Sequence, residues 1–470
     1  MQLDPLVLAR VQFAFTISFH IIFPAFTIGL SAFIATLLVL WRRTGQAHFH
    51  RLARFWTKIF AVSFAMGVVS GIPMSYQFGT NWSQFSVVVG NVLAPVISYE
   101  VLTAFFLEAT FLGVMLFGWK RVPPWLHVTS AVLVAIGTAM SGFWILAANS
   151  WMHTPAGYEM RAGIAYPVSW LAIIFNPSFP FRFAHMMSAA YLTTSIVVLA
   201  VGARYLLARA FETEARTMMR MGAGMVALLA PMQLLLGDLH GLNTLKYQPA
   251  KIAAMEAHWK NDGPADLVLF ALPDERNERN RAEIAVPKLG SIILTHSATG
   301  RVPALADFAP DQRPPVTPVF FAFRIMVGIG LFLIALGVTG AVLWLRKRLF
   351  TTRWYLRIAG FAWPLGFIAI LAGWVTTETG RQPYIAYGIL RTDQALSPVG
   401  VQSIATSLAS FVLVYCVVFS IGIYYIRKLI RHGPQGASVA PPPGLEGLPN
   451  RPLATAQEPT RESRAEAPLI

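Results

Sequence analysis

The chain of 470 residues has one cysteine, Cys416, and little charge: only 13% of it is Asp, Glu, Lys or Arg. A single cysteine excludes an intramolecular disulfide, a cysteine-based zinc site and a prosthetic group attached through paired cysteines. Soluble proteins carry about 25% charged residues. The shortage here, with 55% hydrophobic residues and a mean hydropathy of +0.55, excludes a soluble globular enzyme and a disordered protein alike. Acidic residues are the scarcer sign, 22 against 37 Lys and Arg, for a net charge of +15. That excess could mark nucleic-acid binding, but the basic residues sit between apolar runs. The pattern therefore reads as a topology signal rather than a nucleic-acid patch. The start of the chain also lacks a cleavable signal pattern, so the first helix is expected to stay. No internal repeat of the transporter kind is visible.

What is present is a series of apolar stretches, each long enough to span a bilayer at about 20 residues. The fold class is an all-α, polytopic membrane helical bundle of about nine transmembrane helices, at roughly 11–41, 53–76, 92–119, 126–150, 182–207, 216–236, 318–345, 355–378 and 405–427. The sixth is the least regular, being interrupted by Arg220, Gly222, Gly224 and Pro231. Alternate connections are basic, among them Arg42, Arg43, Lys120, Arg121, Arg346, Lys347, Arg427 and Lys428, whereas the stretch from Tyr76 to Pro95 has no Lys or Arg. The positive-inside rule puts the basic set in the cytoplasm, the N-terminus outside and the C-terminus inside. The expected organisation is spans one to six over 1–237, a polar extracytoplasmic loop over 238–317, spans seven to nine over 318–430, and a disordered Pro/Ala/Glu-rich cytoplasmic tail over 431–470.

Ionisable residues inside spans cost about 2.5–3.5 kcal/mol each at a helix centre, so they persist only where something compensates. His20 and His185 are such residues; a lone membrane histidine also serves as a plain interhelical hydrogen bond. Glu100 and Glu108 share the third span, about 12 Å apart along the axis and on adjoining faces. They suit a proton relay or metal ligation, or one of them a structural pair with an arginine. Glu378 and Arg381 lie one turn apart and can pair. Arg324 and Met326 lie two positions apart on the seventh span, where an isolated methionine is usually packing. Given the expected orientation, His20, Glu100, His185, Arg324, Met326, Glu378 and Arg381 fall in the outer half of the membrane, with Glu108 deeper. Their types are those of haem sites: His, Met and carboxylate as axial ligands, Arg for propionates. A proton-coupled transporter would also carry membrane Glu, Arg and His, but with related halves or broken helices at the midplane. A non-catalytic assembly subunit would need no such cluster.

These residues lie in strings that resemble subunit I of the cytochrome bd-type quinol oxidases. The strings are Ser18-Phe19-His20, Glu100 through Phe105-Phe106-Leu107-Glu108, Phe183-Ala184-His185, Phe323-Arg324-Ile325-Met326-Val327-Gly328, and Gly373-Trp374 through Glu378 to Gly380-Arg381-Gln382-Pro383. In the loop, Gly237-Asp238 and Lys251-Ile252-Ala253-Ala254-Met255-Glu256 match as well. The resemblance covers about residues 1–430. It implies a terminal quinol oxidase that reduces O2 to water with cytoplasmic protons and builds a gradient without pumping. Three haems are implied: a low-spin haem b, a high-spin haem b, and a haem d or a further haem b. By position, His185 and Met326 would be the axial ligands of the low-spin haem b, with Arg324 beside it. His20 and Glu378 would each serve an active-site haem, with Glu100 in the same pocket, Trp374 between those haems and Arg381 next to Glu378. Lys251 and Glu256 would bind quinol, although the bare residues also fit a Lys–Glu pair on a solvated loop helix. Glu108, with Ser141 and Asn149, would belong to the proton path. The resemblance also implies a haem-free membrane subunit II, a small single-span subunit, and residence in the bacterial inner membrane. Two departures stand out. The Gly-Arg-Gln-Pro-Trp string ends here in Tyr384, and the loop is of the short type, similar to the cyanide-insensitive branch.

Overall fold

A computed structural model of the chain describes residues 4–261 and 263–434. The expected tail lies outside the described residues from 435 onward. Among the described residues, eight helices are long and apolar enough to cross a membrane, and a bent pair, taken as one span, makes a ninth. In order these spans are Pro5–Thr44, Ala47–Thr80, Ser83–Phe117, Pro124–His153, Phe179–Leu207, Glu212–Tyr247, Val316–Leu345, the pair Arg353–Phe361 and Leu365–Thr379, and Val401–His432. The pair meets at 41°. Pro364 stands at the break, where its ring and missing N–H prevent the helix from continuing.

The first and fifth spans form the centre, with 72% and 83% of their apolar windows buried, against 17% for the ninth. Leu413, Val414, Val417, Ile421 and Ile423 of the ninth are exposed, as suits a face turned to lipid or to another membrane chain. The irregular sixth span is one unbroken helix. Its arginines lie toward one end and are accommodated there: Arg216 bonds Glu212 one turn back, and Arg216 and Arg220 both sit over the Phe350 ring. Its glycines serve close packing. A Cβ on Gly222 would stand 2.9 Å from the backbone nitrogen of Leu199 in the fifth span. Gly222→Leu is therefore expected to force these two helices apart at a cost of about 1–3 kcal/mol. A lowered thermal midpoint of the detergent-solubilised complex checks this.

Two features differ from expectation. The sixth helix runs to Tyr247, so the loop begins at Gln248 rather than at 238. Residues 238–247 are polar enough to end an apolar window yet contain no helix breaker after Gly241. The long connections also carry strands that an all-α reading does not include: antiparallel hairpins Tyr158–Arg161 with Ile164–Pro167, Leu267–Asp274 with Arg279–Val286, and Tyr384–Ala386 with Leu390–Arg391. All three lie outside the spans. The loop folds on its own small core of Ile252, Ala253, Trp259, Val268, Ala271, Val302 and Leu305, closed by Val319 and Phe320 of the seventh span.

Candidate functional site

The eighth span ends one residue after Glu378, and the chain then turns back so that Arg381 reaches this carboxylate at 2.5 Å. From the fourth span, Asn149 Nδ2 donates to Glu378 Oε1 at 3.0 Å and His153 Nε2 lies 3.2 Å from the same oxygen. Asn149 and His153 are four apart, hence on one helix face. His153 is fully buried, while the Glu378 side chain keeps 31% exposure, enough for a further group to approach it. The surroundings are cationic. Arg182, one turn before His185 on the fifth span, is buried and acts electrostatically on Glu378. Arg381 Nε and Nη1 and Arg182 Nε are buried donors without an acceptor. A buried donor left unsatisfied costs about 1–3 kcal/mol, more when charged.

His20 projects from the first span, its Nδ1 held by Ser70 Oγ at 3.0 Å. A Cβ on Gly71 would lie 3.1 Å from its ring, so the second span passes close along the imidazole. Trp374 packs with the group of Ile21, Ala25 and Ile370, as does Met186. It thus stands between the neighbours of His20 and of His185.

Glu100 accepts a hydrogen bond from Ser141 at 2.7 Å, and Glu108 is buried with Oε1 unpartnered. Between them, Val101–Phe105 form a π-helical turn. One extra residue in a turn cancels about 100° of rotation, so the offset between the two carboxylates falls from about 80° to about 20°. Both consequently face the fourth span: Glu100 meets Ser141, and Glu108 lies against Gly137, where a Cβ would come within 2.7 Å of its Cγ. The sequence alone put them on adjoining faces, because nothing in Val101–Phe105 announces a π turn.

His185 has Gln233 of the sixth span 3.1 Å from its Nε2, and its Nδ1 is buried without a partner. The ring also meets His240 edge-on at 5.6 Å, and Gly237 leaves room beside it, a Cβ there lying 3.3 Å from Cε1. Met326 points to the eighth span, where a Cβ on Gly373 would stand 2.9 Å from its sulfur. Arg324 turns instead to the loop. Its guanidinium bonds Glu256 Oε2 at 2.7 Å, the Val268 carbonyl at 2.6 Å and the Met255 carbonyl, and stacks 4.2 Å over Phe320. Lys251, from the loop helix Pro249–Glu256, reaches the other way into the bundle. Its stem lies against Gly380, and its Nζ reaches His153 Nδ1 at 3.2 Å. Burial, reinforced by Arg182, holds the Lys251 amine well below its usual range.

A profile of the cytochrome bd terminal oxidase subunit I family matches residues 8–434. The chain belongs to this family. It is 32% identical to the cytochrome bd-II ubiquinol oxidase subunit 1 of Escherichia coli K12, over 94% of this chain and all of that one. It is 35% identical to the cytochrome bd ubiquinol oxidase subunit 1 of Bacillus subtilis, over 92% of this chain and 94% of that one. Its fold is similar to that of the bd oxidase from Geobacillus thermodenitrificans, with a TM-score of 0.85 and 30% identity over 92% of this chain and 99% of that one. As a cytochrome bd subunit I, the chain is a multi-pass membrane oxidoreductase subunit of electron transport.

The residues present fit haem. Among the described residues no three His, Cys, Asp or Glu side chains gather around a bare ion, whereas haem iron needs only one or two protein ligands. The unmatched guanidinium donors beside Glu378 suit a group that brings carboxylates, and buried His185 is an imidazole of the kind that ligates haem iron. The structure also brings to these side chains residues that sequence reasoning passed over: His153, Gln248, Arg182, Gln233 and His240. His153 stands at a helix end, where a histidine is ordinarily interfacial, and its partners lie 95 to 225 residues away.

Proposed function

We propose that this chain is the haem-bearing catalytic subunit of a quinol:oxygen oxidoreductase of the bacterial inner membrane. Two quinols are oxidised for each O2 reduced to two waters. The relatives named for ubiquinol, and a further Bacillus subtilis relative named as a putative menaquinol oxidase subunit, support quinol as the substrate class. The single observation that carries the reading is the buried cationic cluster around Glu378, whose unpaired donors adjoin a lysine delivered by the loop.

In this proposal His185 and Met326 hold a low-spin haem b, and His20 and Glu378 hold the two active-site haems, a high-spin haem b and a haem d or second haem b. Haem iron, when bound, supplies the single-electron chemistry between quinol and oxygen. The chain's own groups do the rest. Lys251 hydrogen-bonds a quinol oxygen, and Glu256, fixed by Arg324, takes up a quinol proton for release outside. Arg324 thereby serves the loop, two residues before Met326 on the same helix. Arg182 and Arg381, whose buried donors lack an acceptor, would neutralise the propionates that a haem brings. Glu108, with Glu100, Ser141 and Asn149, passes cytoplasmic protons toward the oxygen site. Because protons are released and taken up on opposite sides, a gradient forms without a pump. The orientation this needs, N-terminus outside and C-terminus cytoplasmic, follows from the basic connections. The working assembly includes a haem-free subunit II and a small single-span subunit, embedded in lipid.

Lys251→Ala tests the quinol side. Removing one partner so that a buried polar atom is left unpaired costs about 1–3 kcal/mol. The expected result is a KM for quinol raised about 10–100-fold with the reduced-minus-oxidised spectrum unchanged. Loss of all haems in this variant would show instead that the lysine is structural.

A further inference from the structure

His153 has three polar side-chain neighbours that belong to two different parts of the proposed machinery. Its Nδ1 faces Lys251 Nζ at 3.2 Å and Gln248 Oε1 at 3.3 Å, both on the loop side. Its Nε2 faces Glu378 Oε1 at 3.2 Å. Gln248 Nε2 in turn donates to the His153 carbonyl at 3.1 Å, so the first residues of the loop grip the end of the fourth span by backbone and side chain together. The imidazole has no exposure. Its tautomer follows from its neighbours. Where the Lys251 amine donates to Nδ1, that nitrogen is the acceptor, Gln248 Oε1, itself an acceptor, is a neighbour of the ring without a bond to it, and the proton is on Nε2. That N–H then points at a carboxylate oxygen, the acceptor it requires. The reverse tautomer would set a lone pair against the carboxylate.

We propose that His153 is a positioning residue that fastens the quinol loop to the active-site carboxylate: one ring receives the Lys251 hydrogen bond and gives one to Glu378, so the two groups are oriented together. The inference rests on the functional reading above and adds a residue to it. Asn149 and Arg381 also hold Glu378, but neither is recorded as bonding Lys251. Gly380 supports the same arrangement, since a Cβ there would lie 2.8 Å from Lys251 Cγ and push the stem away from His153.

The test compares His153→Leu with His153→Gln in the purified complex. Leucine fills similar space and makes neither bond. Glutamine has a carbonyl to accept from Lys251 and an amide N–H to donate to Glu378. His153→Leu is expected to raise the KM for quinol by about tenfold or more while kcat falls less. Amide hydrogen exchange across 249–256 should quicken by about tenfold. The absorption of the haem assigned to Glu378 should shift, with the low-spin signal assigned to His185 and Met326 intact. His153→Gln should return KM and exchange to within about threefold of the parent. The proposal is overturned if the leucine variant keeps the parent KM and exchange. It is equally overturned if glutamine does no better than leucine, which holds even where the leucine variant does not assemble. A parent complex that fails to oxidise quinol would defeat the functional reading instead, while the exchange comparison would still decide the fastening.

Discussion

His185→Ala is expected to abolish the low-spin haem b signal and reduce quinol oxidation by at least about a hundredfold, an effect of about 3 kcal/mol or more on the barrier. The low-spin haem proposed here would be held by both His185 and Met326, and no neighbour stands in the position of the imidazole. Gln233, whose amide nitrogen lies 3.2 Å from the His185 carbonyl and 3.1 Å from its ring, steadies the imidazole by donating to it. The adjacent His240 meets the ring edge-on, which places it beside His185 rather than in its position. Alanine therefore leaves an imidazole-sized gap, with Gln233 keeping only its bond to the backbone carbonyl of residue 185. Met326→Leu is expected to alter the same signal, because leucine keeps the packing against Gly373 and offers no sulfur. Reduced-minus-oxidised spectra of the membranes check both. An unchanged spectrum in either variant rejects that ligand assignment.

The second large effect is expected at Glu108. Glu108→Gln should slow turnover by about 10²–10⁴-fold, the usual contribution of a positioned proton-transfer group, with haem content unchanged. The variant is close to isosteric, so the contact with Gly137 survives and assembly should be normal. What is lost is the ability to take up and release a proton. The π-helical turn at Val101–Phe105 makes this effect specific: it brings Glu108 to the face of the third span on which Glu100 meets Ser141, giving a line of polar groups along the fourth span. Ser141→Ala removes one link of that line and should cost less. Steady-state oxygen consumption against haem content per chain measures both. Full turnover in Glu108→Gln would remove the residue from the proton path.

The spans were legible because a bilayer sets a length and an apolarity that few other structures imitate. Their ends were not. Hydropathy detects passage through hydrocarbon, whereas residues 238–247 remain helical beyond the apolar stretch. The embedded Glu100, Glu108, His185 and Glu378 stood out for the converse reason, being costly in lipid. What brings them into register was hidden: a π turn shifts one carboxylate by a residue, and a glycine admits a neighbouring helix. Arg324 shows a different limit. Its place two residues before Met326 associates it with the low-spin haem, yet its guanidinium bonds Glu256, Met255 and Val268. Side-chain direction of a long, flexible cation is set by acceptors far away in sequence, and the sequence does not name them. The same holds for His153 and Lys251, which meet across 98 residues.

The central claim is that side chains from separate helices gather in this bundle because they hold iron porphyrins. Haem extraction from the purified complex, with the pigment quantified per copy of this chain, tests it most directly. About three haems per chain, all released by acid without cleavage of a covalent link, is the result expected from the single cysteine and the proposed ligand set. A complex that is pure, folded and colourless would contradict it.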